Sequence, residues 1–179
     1  MLCLELPSIE IFNEQTEQFE TIGGLTVELE HSLYTVAKWE AKHKTSFMSA
    51  DMDLPFLTDY AKEMCITKNV PDNAWLCLTR DQLADIISYM NDSHTATKIN
   101  RKHIAGKSSR SVTAELIYYW MFSLKIPMEC EHWHFNRLMT LIEVSSVESM
   151  PKKKMGKKEA IQQQKELNAM RRAKYGTKG

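Results

Sequence analysis

Cys130, His132 and His134 come closest to metal-ligand spacing in this chain of 179 residues. A structural zinc site closes on four ligands. On a helix, His132 and His134 point about 200° apart, so they cannot share an ion. Cys130 and His134 do share a face, but it is the apolar one, with Leu138, Leu141 and Ile142. The pattern reads as Cys130 in the core and His134 as a hydrogen-bonded histidine at the core edge. A Cys-His nucleophile needs a thiolate beside a base in a cleft, and no spacing here implies one. Gly23-Gly24 and Gly106-Lys107-Ser108 are fragments of a phosphate loop. They lack the four residues between glycines, and no apolar strand precedes the Lys-Ser pair. We assign no catalytic residue, metal or cofactor, and read the chain as non-enzymatic.

Binding chemistry is concentrated elsewhere. Lys152, Lys153, Lys154, Lys157 and Lys158 lie within seven residues and attract phosphate whatever its sequence context. Residues 150–179 hold 10 Lys/Arg and 2 Asp/Glu, whereas residues 1–149 hold 13 and 21. A net charge of +0 therefore hides a body near −8 and a tail near +8. Such asymmetry marks an interacting tail. Tyr175 is the one aromatic residue in the tail, so a base-stacking platform is missing. That composition allows weak, non-specific nucleic-acid binding. Trp39 and Trp133 fall near the edges of their predicted helices. Together with the five lysines they are the expected partner-binding residues, although core packing is the plainer reading of either ring.

The elements that must position these residues follow from periodicity. Residues 1–31 read as β. Leu2, Leu4 and Leu6 alternate with other residues, as do Leu25, Val27 and Leu29, and Gly23-Gly24 marks a turn. The expectation is two hairpins or an antiparallel meander with one wet face. Residues 32–149 read as helical. A helix is predicted from Leu33 to Lys44, capped by Ser32, on a stripe of Leu33, Val36, Ala37 and Ala41 that Glu40 interrupts. Pro55 opens another, running to about Lys68. Trp75 to Leu78 is a short strand or buried turn. Thr79 and Gln82 match a capping box, followed by a helix burying Leu83, Ile86, Ile87 and Met90. Residues 91–110 read as a basic loop or a mobile insertion.

An αα-hairpin over Ser111–Val144 is the expected centre of the body. Its first helix is capped by Ser111, stopped before Pro127, and apolar nearly all round. That predicts a helix surrounded by protein, with Trp120 buried. Its apolar run of nine residues falls short of the roughly 20 that span a membrane. The second helix should begin near Glu129. The whole is one α+β domain, 1–149, followed by a basic tail, 150–179, that is marginally helical or disordered. Four scattered cysteines and no signal peptide suit a reducing compartment.

Several stretches together carry a resemblance: Leu29-Glu30-His31-Ser32-Leu33, Lys38-Trp39-Glu40, Phe47-Met48, Glu115 to Met121, Ile126-Pro127 and Trp133 to Leu138. With the lysine-rich tail, the chain resembles the tail assembly chaperones of long-tailed, siphovirus-like bacteriophages. The resemblance implies a chaperone that coats the tape-measure protein and helps tail-tube subunits polymerise around it. It implies those two proteins as partners, self-association, and residence in the host cytoplasm but not in the mature virion. The alternative is a small DNA-associated phage protein acting through its basic tail.

Overall fold

A computed structural model of the protein describes residues 1–14, 17–98, 111–149 and 157–176, with backbone alone at residues 157–160 and 163. The fold is α+β, with antiparallel strands followed by a helical body. Contacts divide it into a unit Met1–Val147 and a second, Glu148–Gly179. Among the described residues no helix is long and apolar enough to cross a membrane.

The strands are β1 (Leu2–Leu6), β2 (Ile9–Asn13), β3 (Gln18–Ile22) and β4 (Leu25–Leu29). Their pairing is nested: β1 pairs with β4 and β2 with β3, both antiparallel, giving two two-stranded sheets. Alternation puts Leu4, Leu6, Val27 and Leu29 into the core. The glycine turn is obligatory at Gly23. Its φ is +78°, and a Cβ there would stand 2.1 Å from the Pro7 carbonyl oxygen.

Helix α1 (Leu33–His43) follows, with the Ser32 hydroxyl accepting from the Thr35 N–H as expected. This helix, not the Ser111–Val144 stretch, is the hub of the body. It packs against α2 (Leu54–Met64), α4 (Ala114–Ser123) and the 3-10 segments Phe47–Ser49 and Met128–His132. Being covered on several sides, it buries Leu33, Thr35, Val36, Trp39 and Glu40, while Ala41 is exposed. On the α2 side, Lys42 reaches Asp59 at 2.6 Å and Lys38 reaches Glu63 at 3.0 Å. The Asp59 bond holds the Lys42 ammonium above its usual range.

Helix α2 starts with Asp53 as N-cap and ends at Met64, short of the expected Lys68. The chain there turns to run beside β4. The Glu30 N–H donates to the Met64 carbonyl at 2.9 Å and the Ile66 N–H to the Glu28 carbonyl at 2.9 Å. Residues Asp72–Cys77 form a 3-10 turn that buries Trp75 and Cys77 but exposes Leu76. Helix α3 (Arg80–Asn91) opens on the predicted capping box of Thr79 and Gln82. Its buried residues include Ile86 and Met90, whereas Ile87 faces out. Of the expected basic loop, residues 99–110 lie outside the described residues.

Helix α4 ends in a Schellman motif. The Ile126 N–H donates to the Met121 carbonyl at 2.9 Å, and the Lys125 N–H to the Phe122 carbonyl at 3.2 Å. Ile126 and Met121 are both buried beneath the motif. Lys125 occupies the left-handed position, φ 57°, that glycine ordinarily fills. Lys125→Gly should therefore stabilise the protein by about 0.5–1 kcal/mol, since relief of αL strain exceeds the added chain entropy of glycine. Urea denaturation would show this as a higher midpoint at unchanged slope.

Helix α5 (Phe135–Ser149) begins six residues later than the expected Glu129, because Met128–His132 coils as a 3-10 turn first. In the second unit, α6 (Lys157–Tyr175) is a regular helix closed by Gly176, whose N–H donates to the Arg172 carbonyl.

Candidate partner-binding surface

Helix α4 and its C-cap residue carry a run of nine residues with one polar interruption, Leu116 to Leu124. The body takes up only part of that surface. Ala114, Ile117 and Met121 are buried, all within one arc of the helix. Tyr119 and Phe122 remain 64% and 65% exposed. Leu116, Tyr118 and Trp120 are half-buried. This corrects the sequence expectation that the helix is surrounded and Trp120 fully buried. An apolar helix reads as a core helix whether or not protein covers its second face.

Hydrogen bonds tie down both ends of the helix. At the N-terminus the Ala114 N–H donates to Glu40 Oε2 at 2.8 Å, so a carboxylate from α1 caps α4. The same carboxylate accepts from the Phe47 N–H through Oε1 at 2.8 Å. Nearby, Ser46 Oγ donates to the Val112 carbonyl at 2.7 Å. Ser111, the expected cap, instead exchanges a hydroxyl bond with Ser49 at 3.0 Å. Along the helix, the Tyr118 hydroxyl donates to Glu131 Oε2 at 2.6 Å. Burial and then that carboxylate push the Tyr118 phenol well above its ordinary range. It therefore stays a neutral donor, and its ring sits one turn from Phe122. At the C-terminus the Schellman turn completes the frame. An exposed aromatic stripe on a helix fixed at both ends can bind apolar side chains at little entropic cost.

The residues expected from sequence fare unevenly. Trp39 is not a surface anchor. It is 5% exposed, stacks on His43 at 4.4 Å and meets Phe47 and Phe56 edge-on. It was misplaced because α1 is covered on more sides than its aliphatic stripe suggested. Trp133 is half-buried against the core, with the Arg137 guanidinium over its ring at 4.2 Å. It keeps an accessible edge on the body. Lys152, Lys153 and Lys154 lie outside the described residues. Lys157 and Lys158 open α6, and only their backbone is described. The α4 aromatics were missed as site residues, although their almost wholly apolar run was the available signal.

The histidines form a cluster, but not a ligand set. His132 is exposed and His134 buried, but not on opposed faces of one α-helix as expected, because His132 ends a 3-10 turn and His134 precedes α5. His134 Nε2 donates to the Tyr89 carbonyl at 3.0 Å, and its ring stacks on His94 at 4.0 Å. His31 lies edge-on to His134 at 5.4 Å and shares a 2.7 Å hydrogen bond with the Tyr60 hydroxyl. Cys130 is buried as expected, and its burial pushes the thiol up, away from nucleophilic chemistry. Among the described residues no three His, Cys, Asp or Glu side chains are grouped to hold a metal ion.

No family model matches the sequence, and neither a curated protein nor a solved structure matches it.

Proposed function

We propose that this protein is a non-enzymatic tail assembly chaperone of a long-tailed bacteriophage. In this reading it binds apolar helical segments of the tape-measure protein and assists tail-tube assembly in the host cytoplasm. The observation that carries the reading is the open aromatic face of α4. Tyr119 and Phe122, flanked by Leu116 and Trp120, are the residue types that anchor helices in protein interfaces. A chaperone of this kind must mask long apolar helices and later release them. A single shallow stripe suits that requirement, giving modest affinity per copy that accumulates over many copies on one chain. The resemblance through Glu115 to Met121 falls on the same helix.

The test is binding of the full-length protein to a fluorescent apolar helix from a tape-measure protein. Tyr119→Ser combined with Phe122→Ser should weaken binding at least tenfold, about 1.4 kcal/mol. The thermal melt should stay close to wild type, because both rings are already largely in water. Unchanged affinity in the double variant would remove α4 from the site. The alternative, a DNA-associated protein, rests on the basic tail and predicts the reverse pattern. Tight duplex binding at about 150 mM salt, where screening cuts charge interactions to about 8 Å, with no binding to the helix, would establish it in place of the chaperone.

A further inference from the structure

The α4 stripe has one charge at each end and none between. From Ala114 to Pro127 the only charged residues are Glu115 and Lys125. Glu115 lies in the first turn of α4, and Lys125 directly follows the C-cap residue, Leu124. Both are exposed, as are Tyr119 and Phe122 between them. Glu115, Tyr119 and Phe122 recur at i, i+4 and i+7, so they share one side of the helix. Among the described residues no ion pair engages either charge. At about 1.5 Å per residue, the two stand about 15 Å apart along the helix axis.

The fold alone does not account for the lysine. Lys125 holds the left-handed position, φ 57°, where glycine would close the helix with less strain. A strained, exposed side chain without an internal ion-pair partner points to a use outside the fold. The aromatic stripe also needs such a use. Hydrophobic contact is non-directional, so Tyr119 and Phe122 hold a helix without choosing its register or its direction. Charges at the rim of a contact make that choice.

We propose that Glu115 and Lys125 set the register and direction of a helix docked on α4. The partner carries an acid and a base about ten residues apart, with apolar side chains between them. Its acid meets Lys125 and its base meets Glu115. A partner with the acid first along its sequence therefore lies antiparallel to α4, and one with the base first lies parallel. Copies bound along one long helix then face the way its charge order dictates. The inference rests on the reading of α4 as a site for apolar helices, and adds what selects among them.

The experiment uses the full-length protein and two helical peptides with the same apolar positions. One carries the acid first and the other the base first, and each bears a nitroxide at its N-terminus. Paramagnetic broadening of the protein's amide NMR signals locates the label. The acid-first peptide should broaden signals around Lys125, and the base-first peptide those around Glu115. The exchanged variant, Glu115→Lys with Lys125→Glu, should reverse both results once circular dichroism shows it folded. Lys125→Gly, expected to be more stable than wild type, should bind both peptides about two- to fivefold more weakly at low salt, a loss that fades as salt rises. If neither peptide binds the wild type, the helix-docking reading fails and this inference falls with it. If both bind but the label sits at the same end for each, the inference alone is overturned. The same holds if Lys125→Gly binds both peptides as tightly as wild type at low salt.

Discussion

Replacing Glu40 by alanine should destabilise the protein by about 4 kcal/mol. Glu40 is 7% exposed and sits in the last turn of α1. Its two carboxylate oxygens each accept one backbone N–H, from Phe47 and from Ala114. The first donor begins a 3-10 turn and the second begins α4, whose own Thr113 side chain makes no capping bond. One side chain thus ties three segments of the body together, and its charge faces the positive end of the α4 dipole. Alanine leaves two N–H groups buried without an acceptor, at about 1–3 kcal/mol each. Glutamine keeps the shape and one acceptor oxygen but turns an NH2 toward the other donor, so Glu40→Gln should cost about half as much. Denaturant titration reads both as lower midpoints. A Glu40→Ala midpoint indistinguishable from wild type would mean that α4 is held by its apolar contacts alone. If the carboxylate does hold α4, the variant should also loosen the aromatic face and weaken helix binding beyond its effect on stability.

Glu40 also shows where the sequence stops being legible. In the periodicity of α1 it looks like a defect, a charge within an apolar stripe. Its second partner lies 74 residues away, and nothing local announces it. Signals confined to a few residues transferred well: the Ser32 cap and the Thr79–Gln82 box each act within one turn of chain. Features decided by tertiary neighbours did not. Helix α2 stops at Met64 because β4 captures the following residues, and Trp39 is buried because α1 is covered on several sides. The candidate site falls in the same class. Tyr119 and Phe122 have the composition of core residues, and only the absence of a described element over them distinguishes a docking face from a core.

Acid should destabilise the protein well above the pH at which its carboxylates titrate, and His31 should be the main cause. Its ring is 3% exposed, shares a hydrogen bond with Tyr60, and is surrounded by Phe47, Phe135 and His134. Burial, reinforced by the neighbouring His134, lowers its pKa to about 3. Burial also lowers that of His134. The unfolded chain takes up a proton near pH 6.5, while the folded chain refuses it until far lower pH. Stability is therefore full above about pH 6.5 and falls as pH drops toward 3. The slope for one such group is about 1.4 kcal/mol per pH unit, or about 3 kcal/mol lost by pH 4.5. Asp59 acts differently. Despite partial burial, its bonds from Lys42 and His43 hold it below the usual carboxylate range, so its contribution is lost only under more acidic conditions. His31→Asn separates the two. Asparagine keeps a polar group for the Tyr60 hydroxyl but does not titrate. The variant should be less stable at neutral pH and yet show a flatter profile between pH 6.5 and 4.5. The His31 carbonyl also accepts the Phe135 N–H at 2.7 Å, so protonation of the ring should release the start of α5 along with the histidine cluster. A wild-type profile that is level from pH 7 to 5, or an equally steep one in His31→Asn, would show that the buried ring does not govern acid unfolding.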